Sequence, residues 1–464
     1  MKFFKVFTPL VVTFLAYSAS AGISLAPKAF SYKSNKVAFI DITNAKYHVY
    51  FDAKTKSATS LSILTFTQET DGFPLFDLVP NILSATLDDK NVAISEVASP
   101  DKTTKFRVIE SLTQPGTHTL TIKAEYKLHV AFESGAKPTV KHAFFFSDLG
   151  SDRTYLEQYL PTNLEYDQYP SEISLQYLNF STTASEQEVF SNGTELSRTA
   201  DTITISFPEY FNAASFFLQS APKGRFKSQT TMYQGIKAII PITVFSKDYD
   251  LNRFDNAARK ILKDLESRFG PWPHASLVIY ASNGGEVPGA GGMEYAGATI
   301  TAEYALSHEM FHSYNARSTM PSAGHAGWMD EALASWRDDG YRIRERFPMR
   351  QATLSNPLSY IRYINDLPYS YGKAFIEAIA GIFDSKKRSF FDSVVEFYHQ
   401  YTHQTVDTEI LKTFLEGKLG ASLSSEFDKY VYNKTKSSGP VPLVREENSK
   451  YHHRWTEKEL VNLL

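Results

Sequence analysis

The sequence predicts an α+β chain of several domains: an antiparallel β-rich N-terminal part, a segment of mixed helix and strand, and a helical C-terminal portion. Three observations predict this. Residues 22–247 read mostly as strands, with alternating apolar positions between recurrent turn signals. The period switches to helical at Asp250. After Glu345 amphipathic helices follow one another to about residue 436. The 464 residues, 42% hydrophobic and 21% charged, have a globular balance and suffice for two or three domains.

In the β-rich part, Lys46 to Phe51 is dense in strand-forming residues. Thr117 to Val130 alternates through Leu120, Ile122, Ala124, Tyr126 and Leu128. Asp71-Gly72, Pro115-Gly116, Asn192-Gly193 and Pro222-Lys223-Gly224 supply turns. Nothing there carries an obvious chemistry. Residues 248–345 begin with a helix, Asp250 to Phe269. Phe254, Ala258, Ile261, Leu265 and Phe269 share a face, Asp250 is the N-cap, and Gly270-Pro271 is the stop. A strand over Ser276 to Ala281, a glycine-rich loop over Asn283 to Gly292 and a second strand from Met293 to Thr301 follow. In residues 346–436 the clearest helices are Tyr371 to Phe383, Phe390 to His403, Glu409 to Leu419 and Ser424 to Tyr432. Residues 437–464, with Gly439-Pro440-Val441-Pro442, read as an extended tail.

The N-terminus reads as a targeting segment over residues 1–21: Lys2 and Lys5, an apolar run from Val6 to Tyr17, and Ala19-Ser20-Ala21 as a cleavage site. The run is short for a membrane span. The expectation is an exported protein, periplasmic or secreted, with no membrane anchor after cleavage. Without cysteines there are no disulfides, no thiolate ligands and no lipoprotein anchor. A net charge of −3 gives no electrostatic case for a nucleic-acid partner. Oligomeric state is not legible.

The chemistry-bearing stretch is Ser307-His308-Glu309-Met310-Phe311-His312. Residues four apart share a helix face, so His308 and His312 can offer two imidazoles to one metal ion, and Glu309 can reach a water bound to it. Two ligands do not complete the site. Glu331, with eighteen residues between it and His312, lies in a second helical stretch beginning Gly327-Trp328-Met329-Asp330. The loop from Arg317 to Ala326 is rich in small residues and can turn the chain back, setting Glu331 against the histidines. Two His and one carboxylate suit one Zn2+ with an open position. Bound zinc lowers the pKa of its water, and Glu309 is placed as general base. Asp330, Asp338 and Asp339 are all candidates to orient the ligands. His399 and His403, four apart, make a second metal site conceivable, although a half-exposed helix face explains them more simply. His325, between the two zinc helices, is a further guess at a substrate contact.

At this point the chain resembles the gluzincin zinc aminopeptidases. H-E-x-x-H followed after eighteen residues by the Glu of W-x-x-E is similar to the signature of the membrane alanyl aminopeptidase family, and His-Glu-Met-Phe-His-Ser-Tyr-Asn is closer to the glycyl aminopeptidase family. Gly291-Gly292-Met293-Glu294-Tyr295 looks like the G-x-M-E-N exopeptidase motif, with Tyr295 replacing Asn. Tyr371-Gly372-Lys373-Ala374 resembles Y-E-K-G. The resemblance implies a thermolysin-like zinc peptidase domain over residues 248–345, continued by 346–436, and a peptide as substrate. It implies Glu294 as anchor for the peptide's α-amine, with Gly291, Gly292 and Met293 along the substrate. Tyr371 would stabilise the oxyanion, Tyr369 being the near alternative. An endopeptidase on the same scaffold and a non-catalytic peptide-binding relative are the competing expectations.

Overall fold

The computed structural model describes residues 23–126, 130–132, 140–143, 155–180, 186–282, 291–347, 353–358, 360, 364 and 366–434. The expected leader at 1–21, most of the glycine-rich loop and the expected tail at 437–464 lie outside them.

The N-terminal part is built from three sheets. The largest has eight strands, and its centre is Asp41–Asp52 paired antiparallel with Ser57–Gln68, itself paired with Gly116–Tyr126. Along Ser57–Gln68 almost every second side chain is buried, the pattern of a sheet with one covered face. Pairing is mostly antiparallel as expected, but Ser171–Leu178 joins Asp41–Asp52 in parallel.

Eight further elements frame the site. Strands β1 (Lys227–Gln234) and β2 (Ile239–Ser246) form a hairpin, followed by helix α1 (Leu251–Phe269). Next come β3 (Leu277–Ala281) and a second hairpin, β4 (Gly292–Tyr295) and β5 (Ala298–Thr301). Helices α2 (Leu306–Asn315) and α3 (Trp328–Asp338) carry the metal-site motif. The sheet order is β1-β2-β3-β5-β4, leaving β4 on an edge. The β1–β2 hairpin falls within the expected N-terminal part, residues 22–247, and reads as strand like everything before it; its pairing with β3 places it in this sheet.

Both faces of this sheet are covered. Val278 and Tyr280 of β3 point into the N-terminal core, while Leu277, Ile279 and Ala281 point into the helical core. All five are buried, as a central strand requires. Helix α1 starts on the Asp250 side chain, which accepts from the backbone N–H of Asn252 (3.0 Å), and ends on Gly270 at φ 86°. A buried amide adds to the seam: Asn192 Nδ2 donates to the carbonyls of Ser215 (2.7 Å) and Ala296 (2.8 Å), and its Oδ1 accepts from the Phe217 N–H (2.9 Å). The helical continuation is a π-helical turn (Pro368–Gly372), α4 (Lys373–Ser385), α5 (Phe390–Gln400), α6 (Thr408–Leu419) and α7 (Ser424–Tyr430). In the loop between α2 and α3, Thr319–Pro321 pairs with Gln404–Val406, which ties that turn to the helical part.

Candidate metal centre

Met310 and Phe311 of α2 and Trp328, Leu333 and Trp336 of α3 are buried in one cluster. Another face of α2 looks toward Glu331 of α3. His308 and His312 lie one turn apart on it, with ring centres 4.6 Å apart and planes at 77°. Glu331 of α3 stands opposite. Its Oε2 is 3.3 Å from His308 Nε2 and 3.7 Å from His312 Nε2. A tetrahedral zinc with ligand bonds near 2.1 Å separates its ligand atoms by roughly 3.4 Å. The Glu331 oxygen thus stands about as far from each imidazole nitrogen as one zinc requires, and the ligand atoms of all three residues lie within 4.8 Å of one another.

The surrounding hydrogen bonds support the same fit. His308 Nδ1 bonds Asp338 Oδ2 at 2.6 Å, and His312 Nδ1 bonds Asp330 Oδ1. With Nδ1–H donating to a carboxylate, each Nε2 is left to present its lone pair. His312 Nε2 is buried and has no hydrogen-bond partner among the described residues, which is costly unless something else fills that role. Of the three candidate aspartates, Asp330 and Asp338 hold the histidines, whereas Asp339 pairs with Lys373 at 3.0 Å.

Charge is concentrated here. Burial opposes a proton on His308, but Asp338 and Glu331 outweigh it and push its pKa up to about 12. Burial also opposes one on His312, and Asp330 and Glu331 raise it to about 9.

Glu309 is 4% exposed. Burial pushes its pKa up to about 8; the two histidines pull it down, and Glu294 and Glu331 add to the rise. Its carboxyl lies directly against the backbone of β4. A Cβ placed on Gly292 would stand 2.5 Å from Glu309 Cγ, so only glycine fits there. Gly291, at φ 75°, takes the left-handed conformation that lets the chain enter β4. Glu294 lies two residues along the same strand, buried, with a carboxylate oxygen within 4.8 Å of both Glu309 and His312. Met293 is half-buried and packs toward the N-terminal core. Tyr295 also points that way, its ring 5.3 Å from that of Phe217. The Asn-to-Tyr departure in the motif therefore falls on the face of β4 turned away from the metal site.

The two tyrosines separate. Tyr369 lies over His308, with ring centres 6.5 Å apart and planes at 19°. Its ring is 43% exposed, but its hydroxyl reaches Glu331. Burial first, and then Glu331, Glu294 and Glu309, push that hydroxyl well above its usual pKa, so it stays protonated. Tyr371, expected from the Tyr-x-Lys spacing, instead packs against the helical core. Gly372 allows the π-helical turn to approach α3, since a Cβ there would meet Ala332 Cβ at 2.8 Å. His399 and His403 part company: His399 lies against Gly270, and His403 Nε2 bonds the Pro273 carbonyl at 2.7 Å. His325 lies near Asp407, and its carbonyl accepts from Ser355.

No family model matches the sequence, and no curated protein matches it by sequence. Solved structures do match in shape. An M1 zinc metallopeptidase from Deinococcus radiodurans aligns over 87% of this chain and 96% of its own, at 16% identity and a TM-score of 0.60. Yeast LTA4 hydrolase in complex with bestatin aligns over 87% of this chain and 69% of its own, at 14% identity and a TM-score of 0.59. Legionella pneumophila aminopeptidase A aligns over 85% and 49%, at 13% identity and a TM-score of 0.60. The chain has the fold of the M1 zinc metallopeptidases. The M1 fold accounts for both the β-rich first domain and the helical continuation.

Within this M1 fold, one buried residue at the site was not expected from sequence. Arg317, 5% exposed, donates from Nη2 to Glu294 Oε1 at 2.5 Å. It stands in a loop without periodicity, among small residues, where no sequence pattern separates a buried arginine from a solvated one.

Proposed function

We propose that the protein is a zinc-dependent metallopeptidase that removes residues from the N-terminus of peptides. The observation that carries this reading is the meeting of His308, His312 and Glu331 beside Glu309, with Glu309 held against Gly292 on an edge strand.

His308, His312 and Glu331 would hold the zinc, which supplies a Lewis acid for the attacking water and the scissile carbonyl. Glu309 takes the water's proton and hands it to the leaving amine. The Tyr369 hydroxyl donates a hydrogen bond to the carbonyl oxygen as negative charge builds there. Gly292 lets the substrate lie close along β4 as an added strand. Glu294 pairs with the α-ammonium and so counts from the peptide's first residue. A Deinococcus radiodurans protein of similar fold, an M1 zinc metallopeptidase, holds a Tyr-Ser-Ala substrate, in keeping with a peptide here. The leader-like pattern of residues 1–21 supports an activity outside the cytoplasm.

A panel of peptides with free and acetylated N-termini, assayed with and without a chelator, tests the reading. The free peptides should be trimmed one residue at a time, and activity should vanish with chelation and return with zinc. Glu309→Gln should lower kcat by about 10²–10⁴-fold. Equal cleavage of acetylated peptides would replace the aminopeptidase with an endopeptidase. Full activity under chelation would remove the zinc chemistry altogether.

A further inference from the structure

Arg317 is a buried cation that the chemistry above does not use. It lies five residues beyond His312, in the loop leaving α2. It holds Glu294 twice: Nη2 donates to the carboxylate at 2.5 Å, and Nε donates to the main-chain carbonyl at 3.3 Å. Behind it stands the N-terminal domain, with the ring centre of Tyr155 at 5.9 Å from the guanidinium.

The carbonyl contact gains its meaning from the edge on which it falls. Strand β4 uses the carbonyls of Gly291 and Met293 toward β5. Ala302 N–H donates to the first at 2.7 Å, and the Thr299 hydroxyl donates to the second at 3.0 Å. Successive carbonyls of a strand point to opposite edges. Those of Gly292 and Glu294 therefore face the free edge, where an added peptide strand would pair. Gly292 lies beside Glu309, and Glu294 follows about 7 Å further along. A peptide can pair at Gly292, but at Glu294 the acceptor is already taken by the guanidinium, with Tyr155 behind it.

We propose that Arg317 terminates the substrate's path along β4: it occupies the Glu294 carbonyl and fixes the Glu294 carboxylate, so that only one residue fits upstream of the scissile bond. Arg317 is thus a positioning and specificity residue. The inference rests on the aminopeptidase reading above.

The test follows the first product released from free and N-acetylated peptides, identified by mass spectrometry at early turnover, for the wild-type protein, Arg317→Gln, Arg317→Lys and the double variant Glu294→Gln/Arg317→Gln. The wild type should release single residues only. Arg317→Gln should release di- or tripeptides first and accept acetylated peptides. Its KM for free peptides should rise about tenfold or more, from loss of a fixed charged partner, with a smaller change in kcat. Arg317→Lys should recover most of the single-residue cleavage. If Arg317→Gln does not fold, the double variant, which leaves no unpaired buried charge, is compared with Glu294→Gln alone: both lose the anchor for the α-amine, but only the double variant, with the Glu294 carbonyl freed, should release di- or tripeptides first, and identical products from the two overturn the proposal. Strict single-residue release with unchanged KM in a folded variant that retains zinc overturns the proposal. Internal cleavage by the wild type overturns instead the aminopeptidase reading on which it rests.

Discussion

Two aspartates support the two histidines, and they differ in one respect that can be measured. Asp330 is 3% exposed, whereas the Asp338 side chain is 41% exposed. Replacing either by asparagine keeps an oxygen to accept the Nδ1–H and removes only the negative charge. Loss of such a partner typically costs 10–100-fold in metal affinity, about 1.4–2.7 kcal/mol. Coulomb energy scales inversely with effective dielectric, about 20 near a buried site and 80 in water. Asp330→Asn should therefore lie in that full range, and Asp338→Asn should lose only about two- to threefold. Competition against a chelator of known zinc affinity, at fixed pH and ionic strength, reads both values. An equal or larger loss for Asp338→Asn would refute the argument, because burial would then not set the strength of the support.

Other outcomes follow from the same geometry. Tyr369→Phe should lower kcat by about 10–10³-fold while Tyr371→Phe leaves it near wild type, since only the first faces the ligands; steady-state kinetics on one peptide separates them. Gly292→Ala should abolish most activity while zinc content stays stoichiometric, because the new methyl displaces Glu309 rather than a ligand; metal analysis beside an activity assay checks this. Asp167 is fully enclosed, and burial, together with the nearby Asp41, raises its pKa well above the usual value. A folded-state pKa raised in this way gives stability that is complete below the unfolded pKa near 4 and is lost as pH rises. Asp167→Asn should accept from the Ile42 N–H and Asn163 as the aspartate does and donate to Asp41 without titrating. Its Tm should exceed that of the wild type by a margin that grows from pH 5 to pH 8, worth about 1–3 kcal/mol at the upper end. A constant or shrinking margin in thermal melts would contradict the assignment.

What was legible in the sequence is what repeats or caps. Helix α1 was readable at both ends because Asp250 and Gly270 act locally, and Ser57–Gln68 because one buried face imposes alternation. The distance from His312 to Glu331 was informative because two helices and one turn can bring them together in few ways. Pairing across long separations was not legible. The β1–β2 hairpin looks the same in either domain until its partner is known. The choice among Asp330, Asp338 and Asp339 depends on how α3 is rotated. The choice between Tyr369 and Tyr371 was open for a local reason: the turn at Pro368–Gly372 is π-helical, and its residues do not follow the α-helical period. Arg317 sits in an irregular loop, where side-chain direction follows no period at all.

Strand β3 gives its odd-numbered side chains to one core and its even-numbered ones to the other. Cutting the chain near residue 226 would leave each fragment with a bare apolar surface and a strong tendency to precipitate. Neither half should survive as an independent soluble module. Engineering of the cleft should accordingly graft or reshape loops and leave this shared partition whole.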